Sequence, residues 1–522
     1  MMFPRQLREQ AVCRPDYPVA CTQMGRIRGI AAEGTYMFRG IRYASSRRFH
    51  KAERIEPWEG IRDALCYGAP SPLLTEAAAA DERFIPHRYA PANENCQYMN
   101  IWTQSLDRKS RLPVMVWMHG GGWKNGSSIE QIAYDGENIS KSGNLVFVTF
   151  NNRQNCYGAL DLSSFGKEYE DSVMAGLSDV IAALKWIQEN IEAFGGDRDN
   201  VTLVGQSGGA KRALALMQTP EADGLYHKAA LGSFAGERME VPAGWTRKKI
   251  ARRMGELTVK QLGLDKNSIE KIEGIPHWRL AEAVNAAEKM LKCEVPDRFR
   301  WEPVADNQYF YEDPFLAGFR KETRKVPLMT GSSFGEMASN ARIKKGAGSK
   351  NTWNESYIRK LLEEEFGGNT ERVISLFRQA YPEKNQADML FMDRLLRGKL
   401  LELSQRRAAE GGKVWNWLFN LESPLDGGLT AWHCSETPFI TGNACYMEAS
   451  YIPGITEALQ ENMMNAWTAF AKEGDPNACG LPDWPCVEAD KIPTMIFDRD
   501  ITVMTNHDRE LFRTLKDMRE NN

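Results

Sequence analysis

Seven short apolar runs recur along the chain: PVMVWMHGGG (113–122), NLVFVTFNN (144–152), VTLVGQS (201–207), KAALGS (228–233), VPLMTGS (326–332), VWNWLFNL (414–421) and TMIFDRD (494–500). Each is bounded by turn residues, and its hydrophobicity is near-continuous rather than alternating. Strands with that pattern are buried on both faces, the condition of a mainly parallel sheet. Helical patterns separate several of them. In MAGLSDVIAALKWIQENIEAFGG (174–196), Leu177, Ile181, Leu184, Ile187 and Ile191 follow three- and four-residue spacing, and Gly195-Gly196 ends the run. Strand, helix, strand in this order predicts the α/β class.

The chain has 522 residues, more than one domain usually holds, yet large α/β enzymes reach this size by inserting helices around a single sheet. No internal repeat or low-complexity linker divides it, so one elaborated domain over 1–522 is expected. Residues 240–300 and 340–412 are rich in Lys, Glu and Arg with helical periodicity, as in RRMGELTVKQLGL and SYIRKLLEEEF. They read equally as cap helices over the active edge of the sheet and as solvated outer helices. A formal charge of −3, with no basic stripe interleaved with aromatics, excludes nucleic acid as a partner. No run approaches the ~18 apolar residues that span a bilayer, and MMFPRQLREQAVCRPDYPVACT at the start has no apolar leader. A soluble, cytoplasmic protein without a membrane partner is expected. The ten cysteines are scattered with no C-x-x-C pair, so they read as reduced thiols rather than a zinc site or disulfide scaffold.

Two stretches have the form G-x-S-x-G: Gly205-Gln206-Ser207-Gly208-Gly209 and Gly331-Ser332-Ser333-Phe334-Gly335. A nucleophilic serine on a strand-to-helix elbow needs a strand before it, small neighbours in the strained turn, and a helix after it. Around Ser207 all three are present, with VTLV leading in and AKRALALM leading out. Around Ser333 the bulky Phe334 intrudes and ARIKKGAGSK breaks the following helix. A serine at its free pKa is a poor nucleophile, so Ser207 requires a base, an orienting carboxylate and donors for an oxyanion. His119-Gly120-Gly121-Gly122-Trp123, directly after an apolar run, offers unobstructed backbone N–H groups. Seven histidines compete as base: His50, His87, His119, His227, His277, His433 and His507. Where a serine sits on such an elbow the base follows it in the chain, leaving the last four. His433, in the loop GGLTAWHCSETPF after VWNWLFNL, is the candidate; the other three sit in stretches that read as surface turns or helix ends. The acid stays open on these grounds.

These residues resemble the type B carboxylesterase family, which includes cholinesterases and the non-catalytic neuroligins, over nearly the whole chain. GRIRGIAAEGTYMFRGIRYA resembles the opening hairpin and its F-x-G-I-x-Y-A pattern, and ENCQYMNIWT stands where the family has E-D-C-L-x-L-N. FGGDRDNVTLVGQSGGA is similar to F-G-G-D-P-x-x-V-T-x-x-G-x-S-A-G, and MNAWTAFAKEGDPNACGLPDWP to the late W-x-x-F-A-x-x-G-x-P-N pattern. The resemblance implies the α/β-hydrolase fold: a central, mostly parallel sheet flanked by helices, with helical insertions over the active edge. It implies Glu336, in GSSFGEM, as the acid, His433, in WHCSETPF, as the base, and Ser333 as part of the acid loop. It implies Gly121, Gly122 and Gly208 as oxyanion donors, and Ser233 and Glu436 as residues that brace the histidine loop.

Three departures stand out. Gln206 precedes the serine where the family commonly has Glu, which removes a charge attractive to cationic substrates. NNRQNCYGALDL (151–162) departs from the family's N-Y-R and G-F-L pattern beneath the oxyanion loop. Cys96 matches one bridging cysteine of the exported members while Cys66 is displaced from the other, in keeping with a reducing compartment. The implied activity is serine carboxylic ester hydrolysis through an acyl-enzyme, without metal or organic cofactor, on small to medium uncharged esters. An amidase, thioesterase, lactonase or acyltransferase on the same triad is the alternative, and a neuroligin-like binding module a further one. Trp123 and Phe439 are candidate pocket walls, with core packing equally open. Substrate and oligomeric state are not legible.

Overall fold

The apolar runs become neighbouring strands of one sheet. The structure, a computed structural model, describes residues 10–75, 85, 87–234, 241–296, 299–338 and 348–520. The leaderless reading of residues 1–9, and the ends of the two Lys/Glu/Arg-rich stretches at 240, 297–298 and 340–347, lie outside the described residues; so does most of the ARIKKGAGSK segment. Strands are numbered along the chain. A small sheet joins β1 (Val19–Cys21), β2 (Arg26–Arg28) and β5 (Ile61–Asp63). The main sheet has β3 (Ile30–Ala32), β4 (Thr35–Arg42), β6 (Tyr98–Thr103), β7 (Leu112–Met118), β8 (Val146–Phe150), β9 (Gly196–Gln206) and β10 (Lys228–Gly232). It continues with β11 (Leu328–Ser333), β12 (Val414–Phe419), β13 (Pro493–Phe497) and β14 (Thr502–Thr505).

Its order is β14-β13-β12-β11-β10-β9-β7-β8-β6-β4-β3. From β8 to β13 every pairing is parallel, and the antiparallel pairings are confined to the two flanks. In β7, β8, β10, β11, β12 and β13 every residue is buried, which is why these runs lack alternation. The chain therefore has the α/β-hydrolase fold. Parallel strands must be joined by crossovers, and the carboxyl ends of β9, β11 and β12 all lie at one edge of the sheet.

The helix Ala175–Asn190 forms as its spacing predicts, and Gly195 ends the segment in the left-handed region at φ +71°. The two charged insertions behave differently. Helices Arg247–Gln261 and His277–Glu294 build a hydrophobic cluster of their own, in which Met254, Leu257, Leu280 and Val284 pack with Tyr157, Leu160 and Leu162. Helices Glu355–Phe366, Thr370–Ala380 and Arg397–Ala409 instead bury Leu362, Phe377 and Leu403 in the main core. Among the described residues no helix is long and apolar enough to cross a membrane.

Candidate active site

Strand β9 ends at Gln206 and the helix Gly208–Met217 starts two residues later, so Ser207 must carry the whole change of direction. It does so at φ +55°, ψ −121°, a strained region for a side-chain-bearing residue. The flanking glycines are steric requirements. A methyl on Gly205 would stand 2.5 Å from the Gly209 carbonyl carbon, and one on Gly209 would enter the Met118 carbonyl oxygen. Backbone bonds fix the turn: Ser207 N–H donates to Gly232 O at 2.9 Å, and Lys211 N–H to Ser207 O at 3.1 Å. The competing serine is different in kind. Ser333 ends β11 fully buried, its N–H donating to Glu336 Oε1 at 2.8 Å and its hydroxyl to Glu436 Oε2 at 3.0 Å.

The loop after β11 carries Glu336 and the loop after β12 carries His433, and the adjacency of those two strands brings the loops together. Gly335 N–H donates to Ala431 O at 2.9 Å and His433 N–H to Glu336 O at 3.0 Å. The side chains then meet, with His433 Nδ1 2.5 Å from Glu336 Oε2. Glu336 is buried, whereas the His433 side chain keeps 16% of its surface exposed, as suits a base that must reach a substrate. On the other side of the ring stands Gln206, next to Ser207 in the chain. Its Nε2 lies 3.4 and 3.5 Å from the two ring nitrogens, so the amide sits over the ring face rather than in line with either nitrogen. Its Oε1 accepts from the Cys434 thiol at 3.0 Å.

Behind this pair lie two more buried carboxyl groups. Burial, reinforced by the charge of Glu336, pushes Glu436 up to about 7; its Oε1 is 3.5 Å from the Ser233 hydroxyl. Burial and the same Glu336 charge push Asp393 up to about 6, although the N–H groups of Leu395, Leu396 and Arg397 oppose the rise. Like charges confined in a low-dielectric site resist simultaneous ionisation, so both neighbours hold their protons to a higher pH than free carboxyls do.

The glycine run closes over the elbow. Gly121 and Gly122 adopt φ +93° and +59°, and a methyl on Gly120 would stand 3.6 Å from Ser207 Cβ. One on Gly208 would meet the Gly122 amide nitrogen and approach the Gly121 carbonyl carbon, so the backbone of the glycine run packs directly against the residue that follows Ser207. The departing 151–155 segment is a fully buried polar platform under this loop. Asn155 N–H donates to Trp123 O at 2.8 Å, and Asn155 Nδ2 to Lys124 O at 3.1 Å. Arg153 holds Asp179 through Nε and Nη2 at 2.9 and 2.8 Å.

A model of the carboxylesterase family matches residues 16–513. The chain belongs to the carboxylesterase family. It is 29% identical over 503 residues to the para-nitrobenzyl esterase of Bacillus subtilis (strain 168), covering 95% of this chain and 97% of that one. It is 29% identical to the phenmedipham hydrolase of Pseudarthrobacter oxydans over 91% and 93% of the two chains. Among solved structures, an esterase from anaerobic Clostridium hathewayi, described as able to hydrolyse aliphatic aromatic polyesters, superposes with a TM-score of 0.89 at 41% identity. That match covers 98% of this chain and 100% of the other. Membership with these relatives makes this carboxylesterase an enzyme, a serine carboxylic ester hydrolase acting on small-molecule esters.

The other histidines serve elsewhere in this carboxylesterase. His50 pairs with Glu273 at 2.9 Å, His277 with the Tyr157 hydroxyl at 2.9 Å, and His227 accepts from Val201 N–H at 3.1 Å. Burial and the Arg212 charge push His119 well below the ordinary histidine range. His507 lies in the turn before the helix Arg509–Glu520, as its stretch reads, but its side chain is 3% exposed and packed edge-on against Tyr381 beside Asp508. Phe439 belongs to the core, buried and with its ring 5.1 Å from that of Phe419. Trp123 is buried too but lines a cavity with Lys211, Leu214 and Phe310. Sequence reasoning passed over Asp393, Gln154 and Arg212, whose neighbours are distant in the chain.

Proposed function

We propose that Ser207, Glu336 and His433 are the reacting triad of this carboxylesterase, working through an acyl-enzyme on Ser207. The observation that carries the reading is the 2.5 Å contact from Glu336 to His433 Nδ1, with that imidazole packed on the residue beside the elbow serine. Neutral His433 takes the Ser207 proton as the hydroxyl oxygen attacks the ester carbonyl. Glu336 holds the ring tautomer and stabilises the imidazolium that forms. The N–H groups of Gly121, Gly122 and Gly208 receive the oxyanion, each contributing about 10²–10³ in rate by comparison with measured oxyanion donors. His433 then protonates the leaving alcohol and, in the second half, activates water against the acyl-enzyme. Ser333, Ser233 and Glu436 brace the histidine loop from below, and Gln206 and Cys434 pack it from the side.

Small to medium uncharged esters are the substrate class we favour. Support comes from Gln206, whose amide places no negative charge where the family commonly has Glu. The same reading takes the chain as one elaborated domain working in a reducing, cytoplasmic compartment, which its ten free cysteines suit. The test is Ser207→Ala assayed on para-nitrophenyl esters of graded chain length, with an anilide, a thioester, a lactone and an aromatic diester alongside. Turnover of the esters is expected to fall at least about 10³-fold in the variant. Near-normal turnover in the variant would refute the triad, and faster cleavage of the amide or thioester than of matched esters would move the substrate class.

A further inference from the structure

The Arg212 guanidinium is a buried charge that the triad chemistry does not use. The helix Gly208–Met217 places it five residues after Ser207, with 1% of its surface exposed. Nη1 donates to the His119 carbonyl at 2.5 Å and Nη2 to Gln154 Oε1 at 2.7 Å. The guanidinium carbon stands 5.0 Å from the centre of the Trp123 ring. Both acceptors are neutral, and the buried Nε has no partner among the described residues. Burial lowers the group to about 9, against the opposing charges of Tyr134 and Glu130, so it remains a cation at neutral pH. A leucine or methionine would fill similar volume without the desolvation cost of a buried cation.

The contacts tell what the cation does. His119 directly precedes the Gly120–Gly122 run and Trp123 directly follows it, so one side chain grips both ends of the loop that carries two of the oxyanion donors. That side chain grows from the helix that carries the third, Gly208. The loop it grips is glycine-rich and has little conformational preference of its own, while oxyanion stabilisation depends on donors fixed before the charge develops. Gln154, on the platform after β8, completes the frame. We propose that Arg212 is a positioning residue of the oxyanion site: it locks the 120–122 run to the Ser207 helix, and its positive charge favours the tetrahedral anion. This rests on the triad and oxyanion reading above.

The experiment compares kcat, KM and the inhibition constant of an arylboronic acid, which becomes a tetrahedral anion on a nucleophilic serine, across the parent, Arg212→Lys, Arg212→Gln and Gln154→Glu. Melting temperatures monitor folding. Arg212→Gln is expected to lose about 10–100-fold in kcat with KM changed less than about threefold, and the boronate constant is expected to rise by a similar factor. Arg212→Lys, which keeps the charge but not the fork, should recover part of that loss. Gln154→Glu sets a carboxylate against the guanidinium without removing it; it should hold the fold yet still lower kcat and boronate affinity, and it decides the matter if Arg212→Gln does not fold. Parent-like kcat and boronate binding in Gln154→Glu, or a kcat loss with unchanged boronate binding, would overturn the proposal. A parent that boronate does not inhibit would instead bring down the triad reading, and this inference with it.

Discussion

Glu436 offers a test that does not depend on assaying catalysis. Its carboxyl is fully buried beside Glu336 and titrates near 7 in the folded chain against an ordinary 4.5. A carboxyl raised on folding contributes stability below its unfolded pKa and loses it as pH rises through the folded value. The window therefore runs from about 4.5 to about 7. Glu436→Gln mimics the protonated form, so relative to the parent it should gain on the order of 1–3 kcal/mol between pH 5 and pH 8, measured by denaturant unfolding at each pH. A constant difference across that range would mean that Glu436 ionises freely. Gln206 gives a second test. With an amide over the His433 ring, a quaternary-ammonium ester should show a lower kcat/KM than its uncharged isostere, and Gln206→Glu should narrow the gap. A preference of the parent for the charged ester would contradict the role given to the amide.

The elbow is the element on which the site depends, and its glycines are legible for a physical reason. A strand that turns into a helix over one residue brings Gly205 and Gly209 into contact, so the G-x-S-x-G spacing reports geometry rather than composition. Gly209→Ala, whose methyl would enter the Met118 carbonyl, is expected to destabilise the fold by about 1–3 kcal/mol, as overpacking of a tight site does, and to lower activity together with it. Unchanged melting and turnover would show that the helix moves freely. The strands were equally legible, because burial on both faces leaves a continuous apolar run. The 151–155 platform was not. Its polar residues look like a surface loop, and only the contacts of Arg153 with Asp179 and of Asn155 with the Trp123 carbonyl reveal why they are buried.

Across the molecule, what the sequence left open is what depends on distant packing. The two charged insertions look alike in composition, yet one builds a separate core over residues 156–169 and the other joins the main one. Helical periodicity shows that a helix has an apolar face, not which surface receives it. Glu336 could be named only through the family resemblance, since no local pattern marks an acid 97 positions before its histidine. His507 sits in the turn before the helix Arg509–Glu520, yet its side chain packs against Tyr381, a burial that a lone histidine beside an aspartate does not announce. The convergence of three remote segments on Ser207 is tested by its reaction with an uncharged fluorophosphonate, mapped by peptide mass spectrometry and timed across pH. The adduct is expected on Ser207, with a labelling rate that rises through roughly pH 6–7 as a histidine base loses its proton and collapses in His433→Ala. An adduct on another serine, or a rate that is flat with pH and indifferent to His433→Ala, would contradict the account.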